Sequence, residues 1–237
     1  MYWQFLLKKS FIVPTPSGTA AAFIHLLKFP DTWRNIVSTT IRVYISLFFA
    51  TVIGFILGST QYFSNYLSAI SETLIQPIQY TAAAVVSIVA IVFFGLSPVT
   101  PYFVIIIAIL PNTYVATRMG LNEMKKDFLE LGEIYTNSKL KMFKHIVFPQ
   151  LIPYTWIGII RSNAIAWKLA VTAEVFIALD GLGFMVSTYY RMHKTAKLFA
   201  TVFIIILIGF FFDQLIKTVK NKYFANYDTI NTNKKFK

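Results

Sequence analysis

The 237-residue sequence contains no cysteine. Disulfide bonds, thiolate metal sites and cysteine nucleophiles are therefore excluded. Charged residues are also scarce, at 14% of the chain, whereas 56% of the residues are hydrophobic and 23 are phenylalanine. Such a composition is unusual for a soluble globular domain. It favours a chain that is surrounded mainly by the hydrocarbon of a membrane.

Motifs for soluble catalysis are missing as well. A phosphate-binding loop of the form GxxxxGK, followed by Ser or Thr, needs a Gly-Lys pair, and none of the ten glycines precedes a lysine. There is no GxSxG nucleophile elbow. The three histidines, His25, His145 and His193, lack the spacing of a metal site. We therefore predict that the chain is not an enzyme, holds no metal or cofactor, and is not itself an ATPase.

Five apolar runs are long enough to cross a hydrocarbon core of roughly 30 Å, which takes about 20 helical residues. The first contains Gly54 and Gly58, a small-xxx-small pattern that allows two helices to approach closely. Pro77 stands near the start of the second, where its missing N–H costs little. The sequence thus predicts an all-α, polytopic transmembrane bundle with membrane helices near residues 36–59, 77–94, 102–117, 154–179 and 198–216.

The N-terminal segment 1–35 differs from these runs. Its first apolar stretch is interrupted by Lys8 and Lys9, and it is too short to span a bilayer. Pro14 and Pro16 are expected to break any helix there, and Ser17 is a candidate N-cap for a short helix with one apolar side. We predict an N-terminal helix that lies at the membrane interface.

Lysine and arginine predict the orientation. The loop 118–150 carries six basic residues, and the tail 217–237 carries six more. Because basic loops tend to stay on the cytoplasmic side, both are predicted to be cytoplasmic. The loop 180–197 is then external, although it carries three basic residues of its own. Since the cations flank apolar runs, the expected partner of this net positive charge is the lipid bilayer and not a nucleic acid.

The loop 118–150 has a distinct pattern of its own. Apolar spacing predicts a helix over 125–134, Thr136-Asn137-Ser138 supplies a break and an N-cap, and a second helix follows up to Pro149. From the residues alone, this could be a basic amphipathic loop that lies against the lipid headgroups. However, the segment resembles the EAA loop of ABC importer permeases. Glu130-Leu-Gly stands where Glu-Ala-Ala is usual, and Ile146-Val-Phe-Pro149 matches the end of the motif.

One position departs from that motif. Thr136 stands where the family has its characteristic glycine, a residue suited to a positive-φ turn. Threonine tolerates this conformation poorly, whereas asparagine tolerates it better, so the turn is expected to shift to Asn137.

Further motifs, in the same order along the chain, are similar to the nitrate, sulfonate and taurine branch of these permeases. They are Val13-Pro-Thr-Pro-Ser17, Asn35-x-x-x-Thr39-x-x-Arg42, Pro153-Tyr-x-x-x-Gly158-x-x-Arg161, Ala166-Trp167, Ala173-Glu174 and Gly181-Leu-Gly183-Phe184. The resemblance implies a type I ABC permease, with 1–237 forming a single permease domain in the cell membrane. Such members usually have a further membrane helix before the Val-Pro segment, and this sequence starts too late for it, so that either the helix is lost or the true start lies upstream. The second membrane helix also lacks prolines that such members often carry, so a more regular helix is expected there.

The resemblance also implies partners and coupling residues. The expected partners are ATPase subunits that bind ATP, a second permease copy or a paralogue, and an extracytoplasmic substrate-binding protein. The candidate contacts with the ATPase are Glu130, Thr136, Asn137, Ser138, Lys139, Phe143 and Pro149. The alternative is that these residues form an ordinary loop surface.

Charged residues inside the membrane runs are the candidates for the translocation path, because each costs several kcal/mol unless it meets water, a partner or the interface. Arg42, Arg161 and Asp213 lie near run ends, where snorkelling or pairing is expected in preference to contact with substrate. Lys168 and Arg161, seven residues apart, share a helix face and predict a pathway that favours an anion. The resemblance implies a small anion such as a sulfonate or nitrate. Glu174, which resembles a residue typical of the family near the external end of the helix, is the third pathway candidate, and the alternative is that it makes a structural hydrogen bond.

Several alternatives remain open at this stage. Lys168 could instead form a structural pair with Glu174 or Asp213. The substrate could be a flavin or pyrimidine vitamin precursor, which members of the branch also carry. The chain could also be a polytopic membrane protein that transports nothing.

Overall fold

A computed structural model describes residues 14–124, 130, 136 and 138–232, and every regular element in these residues is a helix. The all-α prediction is confirmed. A π-helical turn at Phe143–Val147 joins α6 to α7. The helices are α1 (Pro16–Leu27), α2 (Pro30–Phe63), α3 (Asn65–Gln79), α4 (Ala83–Phe94), α5 (Thr100–Asn122), α6 (Lys139–Met142), α7 (Phe148–Ile177), α8 (Leu182–Arg191) and α9 (Thr195–Thr232).

Three of these elements are each long and apolar enough to cross a membrane: α2, α5 and the Thr195–Lys220 part of α9. Two bent pairs qualify if each is counted as one span. Helices α3 and α4 are bent by 107°, and the continuous helix Lys139–Ile177 is bent by 47° from α8. Three of the predicted apolar runs, 36–59, 102–117 and 198–216, lie within single helices, whereas 77–94 and 154–179 extend into the breaks of the two bent pairs.

The second predicted membrane helix is wrong in detail. Pro77 lies inside α3, which begins at Asn65, and the chain then breaks before α4. Residue Ala82 has an extended backbone (φ −65°, ψ 138°), which no α-helix can contain. The expected regular helix over 77–94 is therefore two helices at a sharp angle.

The N-terminal helix forms as predicted, but it begins earlier. Thr15 is the N-cap, and its Oγ1 accepts a hydrogen bond from the Gly18 amide at 3.2 Å. Pro16 occupies the first helical position, where its missing N–H costs little, so it starts the helix and does not break it. The helix is held by Phe23, whose ring meets that of Phe203 with centroids 5.6 Å apart.

Contacts divide the chain into two compact units. The first comprises the described residues of 1–46, 82–105 and 166–212, and it contains a small apolar core of Ala90, Val104, Ala173 and Ile177. The second comprises the described residues of 47–81, 106–165 and 213–237.

The second unit shows the close helix approach that the Gly54 and Gly58 pattern predicted. A methyl group added at Gly58 would lie 2.7 Å from Thr117 Cβ, and one added at Gly54 would overlap the Thr113 side chain. Helices α2 and α5 therefore pack nearly backbone to backbone at these positions.

A row of large apolar side chains along α2 is exposed. Its members recur every three or four residues, as one face of a helix requires. In water such a row would be an aggregation hazard, whereas hydrocarbon is its favourable surrounding. The row consists of Val37, Ile41, Ile45, Phe48, Val52 and Ile56.

Candidate functional site

The first candidate site is the segment 138–147, which consists of Ser138, α6 and the π-helical turn. Ser138 has an extended backbone at the N-cap position, and its carbonyl accepts from the Met142 amide at 3.0 Å. The Ser138 amide in turn donates to Thr136 Oγ1 at 3.2 Å. The predicted helix start after Ser138 is therefore confirmed, although the Ser138 side chain makes no capping hydrogen bond within the described residues.

The rest of the predicted helix-turn-helix lies largely outside the described residues. Glu130 is helical and exposed, and Asn137 is not described. Thr136 is described and is not helical, and the shift of the turn to Asn137 stays a prediction.

The prediction that a helix ends at Pro149 is wrong. It is the second residue of α7, which continues to Ile177. The π-helical turn lies directly before it, and the Phe148 amide donates to the Phe143 carbonyl across this wider turn. A wide turn relieves the clash between a proline ring and the preceding carbonyls, which explains why the helix passes through Pro149.

Side chains of the segment 138–147 point in different directions. Phe143 is half-buried, and its ring lies 5.5 Å from that of Tyr62 and 5.0 Å from that of Phe63, measured between centroids. Lys139 is exposed, and Leu140 is 70% exposed. The segment therefore has one side packed against the C-terminal end of α2 and one side that is exposed.

Arg118 lies at the centre of a polar group near the C-terminal end of α2. Its Nη1 lies 2.7 Å from Glu72 Oε2 and also donates to the Tyr114 hydroxyl at 3.1 Å, while its Nε donates to Gln61 Oε1 at 3.0 Å. This guanidinium thus ties together α2, α3 and α5. The sequence had identified it only as a loop cation, because its partners come from distant parts of the chain.

The second candidate site is a charged group in the first unit, the Arg42 cluster, defined as Arg42, Glu174, Asp180, Ser38 and Thr39. The guanidinium of Arg42 is almost completely buried, pairs with Glu174, and reaches Asp180 Oδ1 at 2.8 Å. Ser38 donates to Asp180 Oδ2 at 2.6 Å, and Thr39 donates to Glu174 Oε2 at 2.9 Å. The expectation that Arg42 is paired is confirmed.

The backbone between α7 and α8 completes this cluster. The amide of Gly183 donates to Glu174 Oε2 at 2.9 Å, and the amide of Leu182 donates to Thr39 Oγ1 at 2.8 Å. Gly181 has φ +104°, a conformation suited to glycine, and a Cβ there would lie 2.6 Å from the Glu174 carboxylate. Three of the motifs found in the sequence therefore meet in space, those around Arg42, Glu174 and Gly181.

Asp180 lies in the connection between α7 and α8. Burial alone would raise its pKa, but the hydrogen bonds from Ser38 and Arg42, together with the nearby charges of Arg42 and Arg34, lower the pKa below its usual value. The stabilisation from this carboxylate is present above its unfolded-state pKa and is lost as the pH falls through the lowered pKa.

Residues 50–224 match the family model described as the binding-protein-dependent transport system inner membrane component. The chain belongs to this family. It is the membrane-spanning permease subunit of an ABC importer and a multi-pass inner membrane protein, as predicted, and the alternative of a membrane protein without transport function is not supported.

Individual relatives of the permease agree with this assignment. The putative aliphatic sulfonates transport permease protein SsuC of Escherichia coli is 22% identical over 198 residues, which cover 84% of this chain and 75% of the relative. The nitrate import permease protein NrtB of Synechococcus elongatus is 23% identical over 181 residues, which cover 75% of this chain and 65% of the relative.

The fold of the permease is also that of solved transporters. A chain in the crystal structure of a bacterial alginate ABC transporter, in complex with its alginate pentasaccharide-bound periplasmic protein, superposes with a TM-score of 0.70 at 10% identity, covering 93% of each chain. The predicted type I permease fold is therefore confirmed.

The three predicted pathway residues of the permease differ in their surroundings. Arg161 and Lys168 are both exposed on α7, whereas Glu174 is fully buried and engaged in the Arg42 cluster. Asp213 pairs with Lys217 at 2.6 Å. The two acidic residues that had been considered as partners of Lys168 are thus occupied by other cations.

Proposed function

We propose that the permease carries a small anion, such as a sulfonate or nitrate, along a path to which Lys168 contributes its positive charge. The observation that carries this proposal is that Lys168 is exposed in the middle of a membrane helix and forms no ion pair within the described ranges. A cation at that depth is costly unless it faces water or a mobile counter-ion. The names of the sulfonate and nitrate relatives support an anionic substrate.

The other two pathway candidates have different roles in this proposal. Arg161, exposed on the same helix, adds positive charge. Glu174 acts indirectly, because its carboxylate is buried and already accepts hydrogen bonds from Thr39 and Gly183. Its contribution is to hold the connection between α7 and α8 in place.

Transport by this permease requires partners in our proposal. The segment 138–147, with Glu130 and Thr136 before it, docks into a separate ATPase that binds and hydrolyses ATP. A binding protein delivers the substrate on the external side, and a second permease copy or a paralogue completes the path. The permease itself supplies no catalytic group. Support comes from the family match and from the exposed side of the segment, with Lys139 and Leu140.

Charge replacement tests the role of Lys168. The permease is reconstituted into proteoliposomes with its ATPase and binding protein, and uptake of a labelled alkanesulfonate and of nitrate is measured. Lys168→Met should lower uptake at least about tenfold, the equivalent of losing about 1.4 kcal/mol of favourable interaction. Lys168→Arg should keep most of the activity.

The matched control is Lys194→Met, which removes an exposed lysine from the connection between α8 and α9. It should transport normally. Normal anion uptake by Lys168→Met, at equal expression, would refute the charge requirement. Uptake of an uncharged flavin or pyrimidine in place of the anions would show that the substrate class is wrong.

A further inference from the structure

The aromatic group formed by Tyr62, Phe63 and Phe143 lies where the segment 138–147 meets α2. The rings of Tyr62 and Phe63 both contact that of Phe143, and the Tyr62 hydroxyl lies 3.4 Å from the Lys139 carbonyl, to which it donates. Aromatic pairs at such distances have a preferred geometry. The contact therefore restrains both the position and the rotation of the segment against α2.

The side chain of Leu140 is exposed, in contrast to that of Phe143. It is three residues from Phe143 along a helical backbone, yet it is 70% exposed, whereas Met142 and Val147 are buried. A large apolar side chain that remains exposed beside Lys139 and Lys141 is available to a partner, while Phe143 is already engaged inside the permease.

The end of α2 is joined to the neighbouring helices as well. Gln61 Nε2 donates to Asn122 Oδ1 at 2.7 Å, and Gln61 Oε1 accepts from Arg118 at 3.0 Å. Arg118 also pairs with Glu72 of α3. A displacement of Phe143 would thus reach α2 first and then α3 and α5 through polar contacts of ordinary length.

We propose that Phe143 is a positioning residue that transmits movement of the segment 138–147 to α2, and that Leu140 supplies the apolar contact with the ATPase. This inference rests on the proposed function, in which the segment docks into an ATPase. It divides that role between two residues: the loss of Leu140 weakens docking, whereas the loss of Phe143 leaves docking intact and separates ATP hydrolysis from transport.

Two measurements on the reconstituted complex test this division: the amount of ATPase that co-purifies with the permease, and the substrate taken up per ATP hydrolysed. Phe143→Ala should retain the ATPase but lower uptake per ATP at least about fivefold. Phe143→Tyr keeps the ring and should restore coupling. Leu140→Ser should lower ATPase co-purification. Tyr66→Ala is the matched control, since it removes a ring that is 74% exposed on the neighbouring helix α3.

A covalent replacement for the aromatic contact tests the same inference without relying on the alanine variant. The native chain has no cysteine, so Phe63→Cys with Phe143→Cys provides a single thiol pair. The double variant should be uncoupled when reduced and should regain uptake per ATP after treatment with a short reversible thiol crosslinker. If the crosslinked protein keeps its ATPase but stays uncoupled, the positioning role is refuted.

Two other outcomes are decisive. Loss of the ATPase in Phe143→Ala, as in Leu140→Ser, would make Phe143 a direct contact and overturn the division. Normal ATPase co-purification and normal uptake per ATP in both variants would refute the docking role of the segment itself. The second result identifies a failure of the proposed function, whereas the first leaves that function intact.

Discussion

At the scale of single residues, the Arg42 cluster explains how the permease accommodates charge in its interior. A buried guanidinium is tolerated only when carboxylates and further hydrogen bonds satisfy it. Arg42 has Glu174 and Asp180, and Glu174 is itself satisfied by Thr39 and the Gly183 amide. Removal of Arg42 therefore leaves the Glu174 carboxylate buried without its cation, whereas Asp180, whose side chain is half exposed, keeps its access to solvent.

Replacement of Arg42 should show this dependence. Arg42→Met should destabilise the permease by about 3–5 kcal/mol, because it leaves the Glu174 carboxylate buried without its cation. Adding Glu174→Gln should recover part of the loss, since glutamine is neutral and still accepts from Thr39 and Gly183. The measurement is the melting temperature of the purified protein in detergent.

The control for this experiment is Arg34→Met, which removes an exposed cation from the same helix and should change the melting temperature little. If the double variant were less stable than Arg42→Met alone, burial of an unpaired charge could not be the cause of the destabilisation.

At the scale of helices, close approach and breaks follow different physical rules. The contact of α2 with α5 depends on glycine, because Gly58 leaves no room for a Cβ beside Thr117. The break between α3 and α4 has no such marker. Neither glycine nor proline lies at Tyr80–Ala82, and the apolar run of α4 is uniform, so the hydropathy pattern conceals the change of direction.

Glycine replacement separates a tight helix contact from a loose one. Gly58→Ala should destabilise the permease by about 1–3 kcal/mol, because the new methyl group would lie 2.7 Å from Thr117 Cβ. Gly209→Ala is the matched control: its methyl group would lie 3.8 Å from the Trp167 ring, an ordinary contact. Equal melting temperatures for the two variants in detergent would contradict close packing of α2 against α5.

At the scale of the whole molecule, the sequence predicted the features that depend on length and composition. Spans such as α5 were found because a bilayer demands about 20 apolar residues. Most of helix α3 was missed, because residues 60–76 lie outside the predicted apolar runs, although Ser71 and Glu72 contact Tyr114 and Arg118. Long-range pairings of this kind leave no periodic signal. The motifs around Arg42 and Glu174 were visible in the sequence, but their contact was not.

Orientation in the membrane is the last property that the charge pattern predicts. The segment 138–147 carries Lys139, Lys141 and Lys144, and basic loops of this kind tend to remain in the cytoplasm. The connection between α8 and α9 should then lie outside, and the C-terminus inside.

Because the native chain has no cysteine, single cysteines report position without background. In intact cells a membrane-impermeant maleimide should label Lys194→Cys and leave Lys141→Cys unlabelled, although both residues are exposed. After the cells are permeabilised, both should react, which shows that the unlabelled thiol is intact and accessible. The reverse pattern would place the segment 138–147 outside, where no ATPase could reach it, and the coupling proposal would fail together with the orientation.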